Sequence, residues 1–220
     1  MSDEGEIRNW LLRSWPHAKA GEQPFKHWFP KRALPENTAR ALSGLNVNIP
    51  PVGDTLGKRE THNSSRWFFS AEHQELIPVC GATARAFQDP GVVGMLQSLT
   101  GAALEGTSLR IEYCADRSGF WLEPHTDIGA KRFTALVYLT DTEEAESLGT
   151  DLYDSEKRHL GHAPGHFNWG LVFVPGADTW HGFRRRAFDS VRKSLIVNYV
   201  GPEWRARHEL AFPDAPVAVS

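Results

Sequence analysis

From Ser108 onward the chain offers strand after strand with no helix between them. "SLRIEYC", "RFTALVYLT", "TDLYD", "GLVFVPG" and "VRKSLIVNYV" are rich in β-branched and aromatic residues, and Gly, Pro, Asp and Ser set them apart. Parallel strands need a crossover of a dozen or more residues, usually a helix. No gap here carries a helical pattern of that length. The expectation is therefore an antiparallel barrel or a double-sheet sandwich.

Before position 105 the texture is mostly helical. Asp3 and Glu6 form a candidate capping box ahead of a helix carrying Ile7, Trp10, Leu11 and Trp15. "LPENTARAL" puts Leu34, Thr38, Ala41 and Leu42 roughly on one face, and "CGATARAFQ" predicts a short helix ending at Gln88. Asp89 as N-cap, Pro90 at the first helical position and Gly101 past the end predict another. Between them, "NIPPVGDTLGKRETHNSSRWFF" reads as a long loop ending in the short strand "RWFF". One domain is expected, with supporting helices and substrate-side loops in 1–105, a β core in 106–201 and a C-terminal tail in 202–220.

Charge and cysteine usage narrow the partners. The formal net charge of -3 gives no electrostatic reason to expect nucleic acid. No apolar stretch approaches the ~20 residues that span a bilayer, and the acidic start "MSDEGEIRNWLLRSW" lacks the basic and apolar regions of a signal peptide. Cys80 and Cys114 are too few for a disulfide framework, so a reducing, cytoplasmic setting is expected, and a compact chain with no extra substrate domain favours a small-molecule partner.

Chemistry concentrates in "EPHTDIGAKRFTALVYLT". In an extended segment side chains alternate, so His125 and Asp127 project to the same side. A second histidine, His181, follows a strand and a Pro-Gly turn in "VFVPGADTWHGF". Two imidazoles and one carboxylate on one face of a metal leave positions open, the arrangement of non-haem Fe(II) oxygenases. In the last strand, Arg192 and Ser194 again share a face. A guanidinium in an apolar strand needs an anionic partner, and a carboxylate bound by the fork would serve.

The ordered set of H-x-D, a distal His after a strand and turn, and R-x-S on the next strand resembles the 2-oxoglutarate- and Fe(II)-dependent dioxygenases, in particular small bacterial prolyl-hydroxylase-like members. The matching text runs from Leu109 to Val200 and includes "WLEPHTD", "LGTDLY" and "FVPGADTWHGF". The resemblance implies a double-stranded β-helix core of the jelly-roll, cupin-like kind, mainly β, with the N-terminal helices packed against it. It implies that His125, Asp127 and His181 bind Fe(II), and that Arg192 with Ser194 grips the C5 carboxylate of 2-oxoglutarate. Tyr113 is implied as a further cosubstrate contact. O2 is the other cosubstrate, and the products are succinate, CO2 and an oxidised substrate. Asp127 stands where a halogenase has Gly or Ala, which favours hydroxylation of a small molecule or an amino-acid-type substrate.

Blander readings stand beside these. Asn63 and Arg66 are candidates for the substrate pocket, although packing of the buttress explains "RWFF" equally well. Trp121 and Trp180 read as core. His159, His162 and His166 lie in a Gly- and Pro-rich connection and read as a solvated loop, and the run Arg184, Arg185, Arg186 reads as a solvated turn. Two other functions compete. One is a non-redox, cupin-like metal- or sugar-binding module. The other is a nucleic-acid demethylase, which would carry a second arginine where this chain has Asn198.

Overall fold

A computed structural model describes residues 3–48, 56–58 and 66–220. Among the described residues, five α-helices lie in the first half: α1 (Glu4–Ser14), α2 (Glu36–Ser43), α3 (Ala71–Leu76), α4 (Pro78–Gln88) and α5 (Pro90–Thr100). The strands are β1 (Lys19–Gly21), β2 (His27–Phe29), β3 (Arg66–Phe68), β4 (Ser108–Asp116), β5 (Leu122–His125), β6 (Lys131–Tyr138), β7 (Asp151–Tyr153), β8 (His159–His162), β9 (Gly170–Phe173), β10 (His181–Phe183) and β11 (Arg192–Val200). They form a seven-stranded sheet, β1-β2-β9-β6-β11-β4-β3, and a four-stranded sheet, β5-β10-β7-β8. The recorded strand pairings are antiparallel. The architecture is mainly β with helices, as the strand-rich second half requires.

Strand parity organises the interior. Leu109, Ile111, Tyr113 and Ala115 of β4, Phe133, Ala135 and Val137 of β6, and Leu195, Val197 and Tyr199 of β11 face the helices. There they pack against Ile7, Leu11, Trp15, Leu42, Phe87, Val92 and Leu96. Each such fully buried large side chain contributes about 1.5–3 kcal/mol of hydrophobic stabilisation. On the opposite face, Leu136, Tyr138, Leu171 and Phe173 join Leu152 of the smaller sheet in a second cluster. The functional residues lie on this second side, between the two sheets.

Several local expectations are corrected. Asp3 caps α1 by accepting from the Gly5 N–H, but Glu6 accepts from Asn37 Nδ2 instead of closing a capping box. In α2 the buried positions are Thr38, Ala39 and Leu42, and Ala41 is exposed, because the helix turns Ala39 toward α4 and the core. The helix α5 has its Asp89 cap, donated to by the Gly91 and Val92 N–H groups, and its left-handed Gly101. The first half is less purely helical than its texture suggests, since β1, β2 and β3 complete both edges of the large sheet. Residues 159–162 form β8 rather than a loop, held to β7 by ladder pairs. The segment after β11 is anchored by Ala211 N–H to Leu109 O at 2.9 Å and Val217 N–H to Thr107 O at 2.8 Å.

Candidate metal centre and adjoining cavity

His125 ends β5 and His181 opens β10, and the two are direct cross-strand partners. Their rings lie 4.4 Å apart between centroids. Gly182 makes this approach possible: a Cβ there would stand 2.7 Å from Leu122 O. The Nδ1 of His125 faces Glu123 O at 2.9 Å, and the Nδ1 of His181 faces Thr179 O at 2.9 Å. Each carbonyl can only accept, so each Nδ1 carries the proton. That leaves both Nε2 lone pairs for a ligand role. Burial pushes the His181 imidazole down to about 4, with Asp127 opposing the shift, so the ring is neutral at ordinary pH.

Asp127 lies just beyond β5, and the donor atoms of His125, Asp127 and His181 are all within 4.8 Å of one another. Among the described residues this trio is the group of metal-ligating type that converges in this way. Its carboxylate is held on both oxygens: Lys131 Nζ donates to Oδ1 at 2.6 Å and Thr134 Oγ1 donates to Oδ2 at 2.9 Å. The Lys131 and Asp127 side chains are each only 3% exposed. Asn198 steadies Thr134 through an Nδ2 donation of 2.9 Å. The donor set is the two-imidazole, one-carboxylate set that suits a non-haem Fe(II) ion with open positions, so these residues fit that metal.

The same cavity reaches Arg192 and Ser194 on β11, with Thr134 and Leu136 of β6 between. Arg192 is buried, and it does not meet the cavity as a bare cation. Its Nε donates to Leu148 O at 2.8 Å and its Nη1 donates to Asp116 Oδ2 at 2.8 Å. The guanidinium also sits over the Phe183 ring at 4.4 Å. Ser194 Oγ is buried with no hydrogen-bond partner, as is Asp116 Oδ1.

Tyr113 lies elsewhere. Position 113 has the opposite parity to Arg110, Glu112, Cys114 and Asp116, so its ring packs in the helix-facing core. There burial holds its phenol well above the ordinary range. The expected cosubstrate contact is therefore corrected: the side chain is on the far side of β4 from His125, Asp127 and His181. Arg66 does line the cavity, bonding Glu112 and, at 3.1 Å, Cys114 Sγ. Asn63 lies outside the described residues. A second cleft, of about 680 Å³, opens beside His125 and Asp127 and is bordered by Arg66, Phe68, Arg110 and Trp204.

Away from the site, His159 and Arg186 both bond the buried Asp151. The "RRR" run is thus partly a tether between strands rather than a solvated turn. Trp180 stacks under Lys157 at 4.4 Å and lines neither cleft. The residues that sequence reasoning missed are Lys131, Thr134 and Asp116, whose roles depend on cross-strand neighbours.

No protein-family model matches the chain, and no functionally curated protein matches it. Solved structures do. A prolyl hydroxylase from Trichoplax adhaerens, in complex with a hypoxia inducible factor peptide fragment, aligns with TM-score 0.56 and 13% identity over 90% of this chain and 88% of that one. A prolyl-4-hydroxylase from Pseudomonas putida aligns with TM-score 0.55 and 12% identity over 91% and 98%. HygX from Streptomyces hygroscopicus, with nickel and 2-oxoglutarate bound, aligns with TM-score 0.52 and 14% identity over 88% and 91%. The chain has the fold of the prolyl hydroxylases and of HygX.

Proposed function

We propose that this chain is an Fe(II)- and 2-oxoglutarate-dependent dioxygenase that hydroxylates a small-molecule or amino-acid-type substrate with release of succinate and CO2. The observation that carries the reading is one cavity lined by His125, Asp127 and His181 at one end and by Arg192 and Ser194 at the other. The shared fold with HygX, solved with nickel and 2-oxoglutarate bound, supports it. In this reading the two sheets form a double-stranded β-helix, and 1–220 acts as one catalytic domain. The free Cys80 and Cys114 suit the reducing cytoplasm.

When bound, Fe(II) with O2 and 2-oxoglutarate supplies the oxidising power for C–H hydroxylation. The chain's own residues do the rest. His125 and His181 present their Nε2 atoms as ligands, each ring oriented by a backbone carbonyl. Asp127 contributes the anionic donor, kept in place by Lys131 and Thr134. Arg192 Nη2, which has no hydrogen-bond partner among the described residues, and the Ser194 hydroxyl are donors for the far carboxylate of the cosubstrate. The cleft beside His125 is in the size range of small-ligand sites, about 300–1,000 Å³, and supports a small substrate.

The test is binding and turnover. Anaerobic protein loaded with Fe(II) is expected to bind 2-oxoglutarate, and oxygenation should yield succinate. Arg192→Ala removes a charge-assisted contact worth roughly 1.5–3 kcal/mol. It should weaken 2-oxoglutarate binding by tenfold or more and leave metal affinity within a factor of about two. Metal binding without any 2-oxoglutarate binding would refute the oxygenase reading in favour of a cupin-like module.

A further inference from the structure

Resting on the cosubstrate role proposed for Arg192, we infer that Asp116 makes the far end of the cosubstrate cavity a charge-neutral site, which accepts a carboxamide almost as readily as a carboxylate. Arg192 and Asp116 are direct cross-strand partners at the ends of β11 and β4. Their side chains are 8% and 2% exposed, and the pair is closed by the 2.8 Å contact to Oδ2. The guanidinium is therefore neutralised before any ligand arrives. An incoming carboxylate meets no net positive charge at this end, and a second carboxylate stands close by.

The orphaned atoms sharpen the inference. Asp116 Oδ1 is a buried acceptor without a donor, and Ser194 Oγ is a buried hydroxyl without a partner. Both residues line the cavity, and Ser194 is 1% exposed. Leaving such atoms unsatisfied is costly, so each calls for a partner from a ligand. Arg192 Nη2 and Ser194 can donate, while Asp116 Oδ1 can only accept. A carboxylate satisfies the donors but not the acceptor. A primary carboxamide satisfies all three, its oxygen facing Arg192 and Ser194 and its NH2 facing Asp116.

The experiment uses full-length protein with Mn(II) in place of Fe(II), titrated by calorimetry with 2-oxoglutarate and with its 5-carboxamide. The wild-type Kd values should differ by less than tenfold. Asp116→Asn keeps an oxygen for Arg192 Nη1, removes the negative charge and exchanges the orphaned acceptor for a donor. It should tighten 2-oxoglutarate at least tenfold and weaken the 5-carboxamide, with the melting temperature confirming a folded variant. If Asp116 only pins Arg192, the Asn variant leaves the ratio of the two affinities unchanged, and the inference is overturned. The wild-type comparison decides the matter should the variant fail to fold: a preference for 2-oxoglutarate above 100-fold overturns it. Absence of binding by either ligand to metal-loaded wild type refutes the proposed dioxygenase activity itself, a distinct result.

Discussion

Replacing Lys131 with Met tests whether the ammonium beside Asp127 acts as a stand-in for a metal ion. The Nζ–Oδ1 distance is 2.6 Å and both side chains are 3% exposed. At an effective dielectric of about 20, charges that close attract by about 6 kcal/mol. Much of that offsets the loss of hydration on burial. Removing one partner of a buried pair costs about 3–5 kcal/mol, because the other charge stays behind. Thr134 Oγ1 still donates to Asp127 in the variant, which places the expected loss near the lower bound, about 3 kcal/mol. A divalent ion supplies a stronger counter-charge to the same carboxylate and, at 100-fold excess over Kd, itself stabilises the wild type by about 2.7 kcal/mol. The deficit of Lys131→Met should therefore shrink when Mn(II) is present. Urea unfolding followed by tryptophan fluorescence, with and without Mn(II), measures both quantities. An equal deficit in the two conditions, or a metal-free deficit below about 1 kcal/mol, would refute the reasoning.

Tyr113→Phe should leave the Kd for 2-oxoglutarate unchanged within twofold, since the ring is in the helix-facing core. It should hold or raise the melting temperature, because it removes a buried hydroxyl that has no partner; a tenfold loss of 2-oxoglutarate affinity would restore the tyrosine to the site. The metal-free protein should lose stability as pH falls from 6.5 toward about 4. In that window the unfolded chain takes up a proton that folded His181 refuses. The contribution is fully present above 6.5 and is lost on going down to the folded value, roughly 3 kcal/mol in all. Unfolding of wild type minus that of His181→Asn across this range isolates it, and a flat difference would refute the assignment.

The long strands were legible because each repeats its alternation several times. β4 reads Leu109, Ile111, Tyr113, Ala115 on one side and Arg110, Glu112, Cys114, Asp116 on the other. That same alternation could have placed Tyr113: it travels with the apolar set, and the polar set marks the cavity side. The three- and four-residue strands β1, β2, β8 and β10 are too short to show a period. β8 in addition is largely solvent-facing, so no apolar rhythm distinguishes it from a loop. The spacing of His125, Asp127, Arg192 and Ser194 was readable because it is local. Asp116 was not, since its meeting with Arg192 depends on the register of β11 against β4. Lys131 shares that limit, because its reach to Asp127 depends on the turn into β6.

Charged groups in and behind this cavity come with counter-ions already in place. Asp127 is held by Lys131, Arg192 by Asp116, and Glu112 by both Arg66 and Arg110. The arrangement follows from burial: an ionised side chain taken out of water without a partner is too costly for a fold of ordinary stability. It also divides the labour between the sheets. The four-stranded sheet brings the imidazoles of His125 on β5 and His181 on β10, of which the buried His181 is neutral. Asp127 is tied to Lys131 and Thr134 on β6, and Arg192 to Asp116 on β4, so the ionic groups belong to the larger sheet with its helical backing. A metal ion held by His125, Asp127 and His181 would thus join the two sheets across the cavity. A cosubstrate carboxylate would likewise meet a pair whose charge is already balanced. In the proposed dioxygenase both ligands thus approach groups that are already ion-paired, and the hydrogen-bond pattern at Arg192, Ser194 and Asp116, rather than net charge, would govern which cosubstrate the far end accepts.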